Sequence, residues 1–218
     1  MIKAVIFDVD GVLVDSRDSN VDFFQKLLPK VGYSKPSREE VLKHFHLPLK
    51  EALAEIIDTT DNAELLRIMT IGNEKVVRDT ALLKFPESLE QILKELKKKY
   101  LIGIVTSRNQ AGLDVVFSIK DIKSLFDVVV VREHYQNRKP HPEPLFVASD
   151  RLHINPDEAI YIGDSNIDIE AAKAAGMSSI HFSPYVHKNA NVGISNFDQI
   201  PEAVNRIAKL NSNHRANN

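Results

Sequence analysis

The chain of 218 residues contains no cysteine. That excludes disulfides, thiolate metal sites and cysteine nucleophiles, and it suits a reducing compartment. Neither sign of charge dominates: 28 Lys and Arg stand against 30 Asp and Glu, a formal net charge of −2. Such a balance points away from bulk nucleic-acid binding and from anionic membrane surfaces. Long hydrophobic runs are also missing. The longest apolar stretches, such as Leu101 to Val105 and Val128 to Val131, fall far short of the roughly 20 residues that cross a bilayer. Met1-Ile2-Lys3-Ala4 runs straight into an apolar strand and lacks the plan of a signal peptide. There is no Walker A loop and no GxGxxG, so neither a P-loop nucleotide hydrolase nor a dinucleotide-dependent dehydrogenase is expected. No internal repeat is present, and the polar tail 211–218 is expected to fray. The expectation is a cytoplasmic protein, monomer or homodimer, with no nucleic-acid or membrane partner.

What is present is a series of short, continuous apolar runs: Ala4 to Phe7, Leu101 to Val105, Val128 to Val131 and Ala159 to Ile162. Continuity rather than alternation is what a parallel sheet covered on both faces requires. A fifth strand is expected near Ser179 to Phe182. Helical spacing lies between the runs, at Leu89, Ile92, Leu93 and Leu96, and at Ile169, Ala172 and Ala175 with Gly176 as a stop. A last helix is expected over Glu202 to Leu210. Strands alternating with helices predict an α/β fold, a doubly wound Rossmann-like parallel sheet. From about Arg17 to Leu83 the pattern changes to helical stripes alone: Val21, Phe24, Leu27, Leu28 and Val31; Leu49, Ala52, Leu53, Ile56 and Ile57; Leu65, Leu66, Met69, Val76 and Val77. These predict a helical module, 17–83, inserted after the first strand into a core of 1–16 and 84–218.

The chemistry-bearing residues follow the buried runs. Asp8-Val9-Asp10-Gly11 comes directly after the first. Residues two apart in extended chain point the same way, so Asp8 and Asp10 can aim two carboxylates at one spot beyond the strand's carboxyl end, where open α/β sheets place ligands. Gly11 permits the turn that follows. A turn using Asp and Gly for backbone reasons alone would read the same. The second run ends at Thr106-Ser107-Arg108-Asn109, offering hydroxyls and a helix start as a phosphate contact or, more plainly, as a helix N-cap. The fourth ends at Gly163-Asp164 with Asp168 one helical turn later, which serves a site or a helix dipole. Arg138-Lys139-Pro140-His141-Pro142-Glu143-Pro144 reads as an extended, proline-locked loop presenting Lys139.

The order of acid pair, hydroxyl, lysine and acid pair resembles the haloacid dehalogenase-like hydrolase superfamily over nearly the whole chain. It is most similar to the phosphoglycolate phosphatase-like and phosphoglucomutase-like branch. The resemblance implies that the inserted module is a small α-helical cap and that the reaction is Mg2+-dependent phosphoryl transfer from a small phosphorylated substrate. It implies Asp8 as nucleophile and Asp10 as general acid and base. Asp8, Asp164 and the Asp10 backbone carbonyl would hold the magnesium, and Asp168 would orient Lys139 or a metal-bound water. Thr106, Ser107 and Lys139 would hold the phosphoryl oxygens. Dehalogenases and phosphonate hydrolases of this fold lack an acid at the position of Asp10, so its presence favours phosphate ester or anhydride chemistry. A phosphatase is the first reading, with a phosphomutase or a non-catalytic binding protein as alternatives. Two departures stand out. His46 occupies a cap-loop position that is often Gly, which makes His46 and Lys50 candidate substrate contacts. Pro86-Glu87 replaces the usual Pro-Gly.

Overall fold

The computed structural model describes residues 1–45, 47–75 and 79–216. In chain order, β1 (Ala4–Phe7) is followed by α1 (Arg17–Lys30), α2 (Arg38–Lys43), α3 (Leu49–Ile56) and α4 (Asn62–Lys75). Then come α5 (Leu89–Lys97), β2 (Leu101–Val105), α6 (Gln110–Ile119), β3 (Val128–Val130), α7 (Glu143–Leu152) and β4 (Ala159–Gly163). The chain closes with α8 (Asn166–Ala175), β5 (Ser178–Phe182), β6 (Val192–Ile194) and α9 (Ile200–Ala216).

The strands form one sheet in the order β3-β2-β1-β4-β5-β6, and every pairing is parallel. All residues of β1 and β4 are buried, which is why their sequences are apolar without alternation. Ala4 and Ile6 of β1, with Ala159 and Tyr161 of β4, face a core made with Leu145 and Ala148 of α7 and Ala171 and Ala172 of α8. Val5 and Phe7 point to the opposite face by the period of two. On that side α5 packs against β2 and α9. The sheet is therefore doubly wound, as the runs predicted.

Register decides where the site lies. Phe7 is abreast of Ile104 on one side and of Ile162 on the other. The residues that leave these strands, Asp8, Thr106 and Asp164, thus emerge in one row at the carboxyl edge. The ladder carries on just past the strand ends: Asp8 N–H donates to Ile162 O at 2.8 Å and Thr106 N–H to Val130 O at 3.0 Å.

Residues Asp15–Lys84 form a compact unit of their own, distinct from Met1–Val14 with Phe85–Asn218. Helices α1 to α4 make it, and no strand longer than a single bridge occurs among its described residues. Phe23, Phe24, Leu27, Leu28, Val41, Leu53, Leu65 and Ile68 fill its interior. Its first and last residues pair as an antiparallel bridge, with Asp15 N–H to Lys84 O at 2.8 Å and Lys84 N–H to Asp15 O at 3.1 Å. Asp18 receives both Lys84 and Arg38, each at 2.6 Å. Val76 and Val77 of the third expected stripe lie outside the described residues.

Three features differ from expectation. β6 was not foreseen, since Gly193 interrupts its short apolar run. α9 does not stop at Leu210 but runs to Ala216. Its buried stripe of Ile200, Ala203, Val204 and Ile207 nucleates the helix, and extending a formed helix is cheap even through polar residues. The proline segment is extended only in part: Pro142 is the N-cap of α7 and Pro144 lies in its first turn, where a missing N–H costs nothing. Gly176 ends α8 with φ +75°, as expected of a helix stop. Among the described residues no helix is long and apolar enough to cross a membrane.

Candidate active site

Beyond β1 the chain turns at once. The N–H groups of Leu13 and Val14 both donate to Val9 O, at 2.9 and 3.0 Å, and Gly11 N–H donates to Val14 O at 2.8 Å. Val9, Val12, Leu13 and Val14 are buried, so the turn is held by packing as well as by hydrogen bonds. Gly11 sits at φ +78°, and a Cβ there would lie 1.9 Å from Asp164 Oδ2. Only glycine allows the first loop to come this close to the tip of β4. A Cβ on Gly163 would likewise lie 2.2 Å from Asp168 Cβ.

This close packing gathers acids. One carboxylate oxygen from each of Asp8, Asp164 and Asp168 lies within 4.8 Å of the others. Lys139 enters from the loop before α7, its side chain 2% exposed. Its ammonium donates to Asp168 Oδ1 at 2.6 Å and to the Tyr161 hydroxyl at 2.9 Å, and stands 3.3 Å from Asp8 Oδ2. Asp168 has a job for each oxygen. Oδ1 takes Lys139, while Oδ2 accepts the Ser165 hydroxyl and, at 3.1 Å, the Ser165 N–H. The cap role and the site role thus fall on opposite oxygens of one group, and Asp168 serves to hold Lys139 and the start of α8.

Electrostatics follow from this crowding. Burial, with further pressure from Asp168 and Asp10 and in spite of Lys139, pushes the Asp8 carboxyl up to about 7. Burial first, then the charges of Asp168 and Asp8, push Asp164 up to about 8. Burial also opposes the charge on Asp168, but the Lys139 ion pair and the Ser165 hydrogen bonds outweigh it and hold this carboxyl low. Lys139 is raised well above the usual lysine value, since Asp168 and Asp8 overcome its own burial. Three carboxylates face one ammonium, and burial together with their mutual repulsion keeps protons on two of them up to neutral pH. An all-oxygen donor set of this kind suits a hard divalent cation.

Asp10 lies close enough for its charge to press on both Asp8 and Asp164. Asp8 joins the cluster, whereas the Asp10 carboxylate is held by Arg108, with Nε to Oδ2 at 2.7 Å and Nη2 to Oδ1 at 2.6 Å. Past Asp8 the chain enters the turn, so the turn and the guanidinium, not the pleat, orient the Asp10 side chain. Arg108 is fixed in turn by Nη1 donating to Gly112 O at 3.0 Å and by its N–H donating to Thr106 Oγ1 at 3.1 Å.

At the tip of β2, Thr106 is buried and Ser107 exposed. Asn109 caps α6, accepting from Gly112 N–H at 2.8 Å, which leaves the two hydroxyls to other roles. Tyr135 hydroxyl donates to Thr106 O at 3.0 Å and hydrogen-bonds the Ser107 side chain. Of the two candidates in the helical unit, Lys50 is exposed on α3 and His46 lies outside the described residues.

Three contributors were not anticipated. Arg108 stood inside the quoted run at the end of β2; a cation there, facing an acid pair, was the available signal. Tyr161 is the lone polar-tipped side chain in an otherwise apolar, buried strand, and such a hydroxyl needs partners. It donates to Val105 O at 3.2 Å and meets Lys139 and Asp168. His181, on β5, accepts the His187 N–H on Nδ1 at 3.0 Å, so its Nε2 carries the proton and donates to Asp164 O at 3.1 Å. No spacing in the sequence marks it.

The chain is thus an α/β protein with an aspartate-lined carboxyl edge on a doubly wound parallel sheet and a helical unit inserted after β1. The profile of the haloacid dehalogenase-like hydrolases matches residues 5–182, and the chain belongs to that family. It is 31% identical to pyrophosphatase PpaX of Bacillus velezensis (strain DSM 23117 / BGSC 10A6 / LMG 26770 / FZB42) over 176 residues, covering 80% of each chain. To pyrophosphatase PpaX of Bacillus mycoides (strain KBAB4) it is 29% identical over 183 residues, 84% of each. The crystal structure of β-phosphoglucomutase from Clostridium difficile superposes with a TM-score of 0.79 at 24% identity, covering 95% of this chain and 97% of that one.

Proposed function

We propose that the chain is a magnesium-dependent phosphatase that hydrolyses a small phosphorylated metabolite through an aspartyl-phosphate on Asp8. Phosphoglycolate-like compounds, sugar phosphates and nucleotides are candidate substrates, and the pyrophosphatase relatives add pyrophosphate. The observation that carries this reading is Asp8 at the tip of the central strand, 3.3 Å from the Lys139 ammonium and within the cluster of Asp164 and Asp168.

In this reading an Asp8 carboxylate oxygen attacks phosphorus, the bond to the leaving oxygen breaks, and Asp10 supplies the proton that oxygen needs. Water then attacks the phosphorus of the aspartyl-phosphate, Asp10 takes its proton, and the Asp8–phosphorus bond breaks to release inorganic phosphate. Lys139, Thr106 and Ser107 hold the phosphoryl oxygens and offset charge as it builds. Magnesium would be held by the Asp8 and Asp164 side chains and the Asp10 backbone carbonyl. When bound, it supplies the positive charge that lets a phosphate dianion approach several carboxylates. Asp168 keeps Lys139 ionised and aimed. Tyr161 steadies both, and His181 steadies the backbone carrying Asp164. The helical unit 15–84 would act as a cap that selects the leaving group, with His46 and Lys50 as contacts.

Phosphate release from pyrophosphate, 2-phosphoglycolate, sugar phosphates and p-nitrophenyl phosphate tests this, comparing wild type with Asp8→Asn, with magnesium and with a chelator. The expected result is release that needs both Asp8 and magnesium. No release by wild type on any substrate overturns the reading, and turnover only with a sugar bisphosphate primer would identify a mutase.

A further inference from the structure

We propose that Arg108 recognises a second anionic group on the substrate's leaving portion, and that this group takes Asp10's place on the guanidinium. The substrate class is then a phosphoanhydride, or a phosphate monoester with a carboxylate or phosphate one or two atoms from the scissile oxygen. This rests on the phosphatase reading above and narrows it.

Two cations serve the site and divide its acids. Lys139 takes Asp168 and Asp8, the acids of the phosphoryl side. Among the described residues Arg108 pairs with Asp10, using Nε and Nη2 on its two oxygens, while Nη1 is spent on Gly112 O. Asp10 is the group that must reach the leaving oxygen. With both oxygens gripped by the guanidinium, it has to surrender at least one contact to do so. The Arg108 side chain is only 19% exposed, so water alone replaces that contact poorly, and a guanidinium left without an anion in such surroundings is costly. An anionic group arriving with the substrate removes the cost. It must lie where the Asp10 carboxylate lay, next to the leaving oxygen, and therefore belongs to the leaving group and not to the transferred phosphoryl. Carboxylate and phosphate both match the guanidinium fork, whereas the hydroxyls of a neutral leaving group do not. The backbone of Arg108 is pinned to Thr106 Oγ1, so the fork has a fixed origin beside the phosphoryl site.

Calorimetry on Asp8→Asn with magnesium compares 2-phosphoglycolate with ethyl phosphate, which differ by the carboxylate alone. Asp8→Asn is expected to prefer phosphoglycolate by about tenfold or more, the worth of a charge-assisted hydrogen-bonded pair. Adding Arg108→Gln should cut the preference below about threefold, and Arg108→Lys, which keeps the charge, should restore part of it. In the Asp8 wild-type background, Arg108→Gln should lower kcat/KM on pyrophosphate and phosphoglycolate at least about 30-fold more than on p-nitrophenyl phosphate. No preference in Asp8→Asn overturns the proposal. So do equal losses on all substrates, which would make Arg108 a holder of Asp10 and nothing more. An Arg108-dependent preference in binding, with no phosphate released by wild type, would uphold this inference and sink the phosphatase reading instead.

Discussion

The site has two corners, each an acid held by a cation, and they are built to different standards. Around Lys139 almost nothing is exposed: the side chains of Lys139 and Asp168 are 2% and 1% accessible, and each polar atom has its partner from the fold. Around Arg108 the pair is more open, at 19% for Arg108 and 29% for Asp10. A fully buried pair has no room for a new partner, whereas a partly open pair can admit a second anion as the first turns away. The first corner is suited to hold a phosphoryl group in one place, and the second to let an acid move and a substrate take part.

Breaking the first corner should have the larger effect. Lys139→Ala strips the cation from Asp168 and Asp8 and should destabilise the fold by about 3–5 kcal/mol, read from urea unfolding. Asp10→Asn at the second corner should cost less, about 1–2 kcal/mol, because Arg108 loses its anion but keeps an amide oxygen and partial access to water. Its turnover should nevertheless fall about 10²- to 10⁴-fold. If the two changes cost equal stability, the contrast between the corners is wrong.

Gly11→Ala sharpens the same point from the backbone. A Cβ 1.9 Å from Asp164 Oδ2, at φ +78°, should displace Asp164 and cost about 1–3 kcal/mol, with magnesium affinity reduced in a titration. A variant that binds magnesium like wild type would show that the close approach is not needed.

The pH response should come from the acid cluster. Asp8 and Asp164 keep their protons up to about 7 and about 8 in the folded chain, but lose them near 4 when unfolded. The folded state therefore binds more protons across that window, and its stability falls as pH rises from about 4 to 8. Thermal unfolding in chelator should show this decline. Magnesium should reverse it, with its stabilisation growing from pH 6 to pH 8 as protons cease to compete. A magnesium effect that is flat with pH would place the cation elsewhere. The smallest expected change is Tyr161→Phe, which removes one hydroxyl from the Lys139 corner and should cost about 1 kcal/mol.

The strands and the acids at their tips were legible in the sequence because their causes are local. A strand buried on both faces must be continuously apolar, and a carboxylate just beyond it marks the sheet's working edge. The fifth strand, the helices α1 to α4 and the Gly176 stop could be read for the same reason. β6 could not, because Gly193 breaks its apolar run. The run of α9 past Leu210 was hidden because the buried stripe that nucleates it lies upstream. Tyr161 could be seen as an odd hydroxyl in an apolar strand, while His181 left no trace.

The sequence by itself determined which acids, hydroxyls and lysine stand at the strand ends. Only the tertiary structure decided which cation each acid takes. Asp10 and Arg108 are 98 residues apart and Lys139 and Asp168 are 29 apart. Attraction between charges acts through space and is indifferent to the chain that joins them. Neighbours of that kind exist only once the parallel register has brought the tips of β1, β2 and β4 into one row.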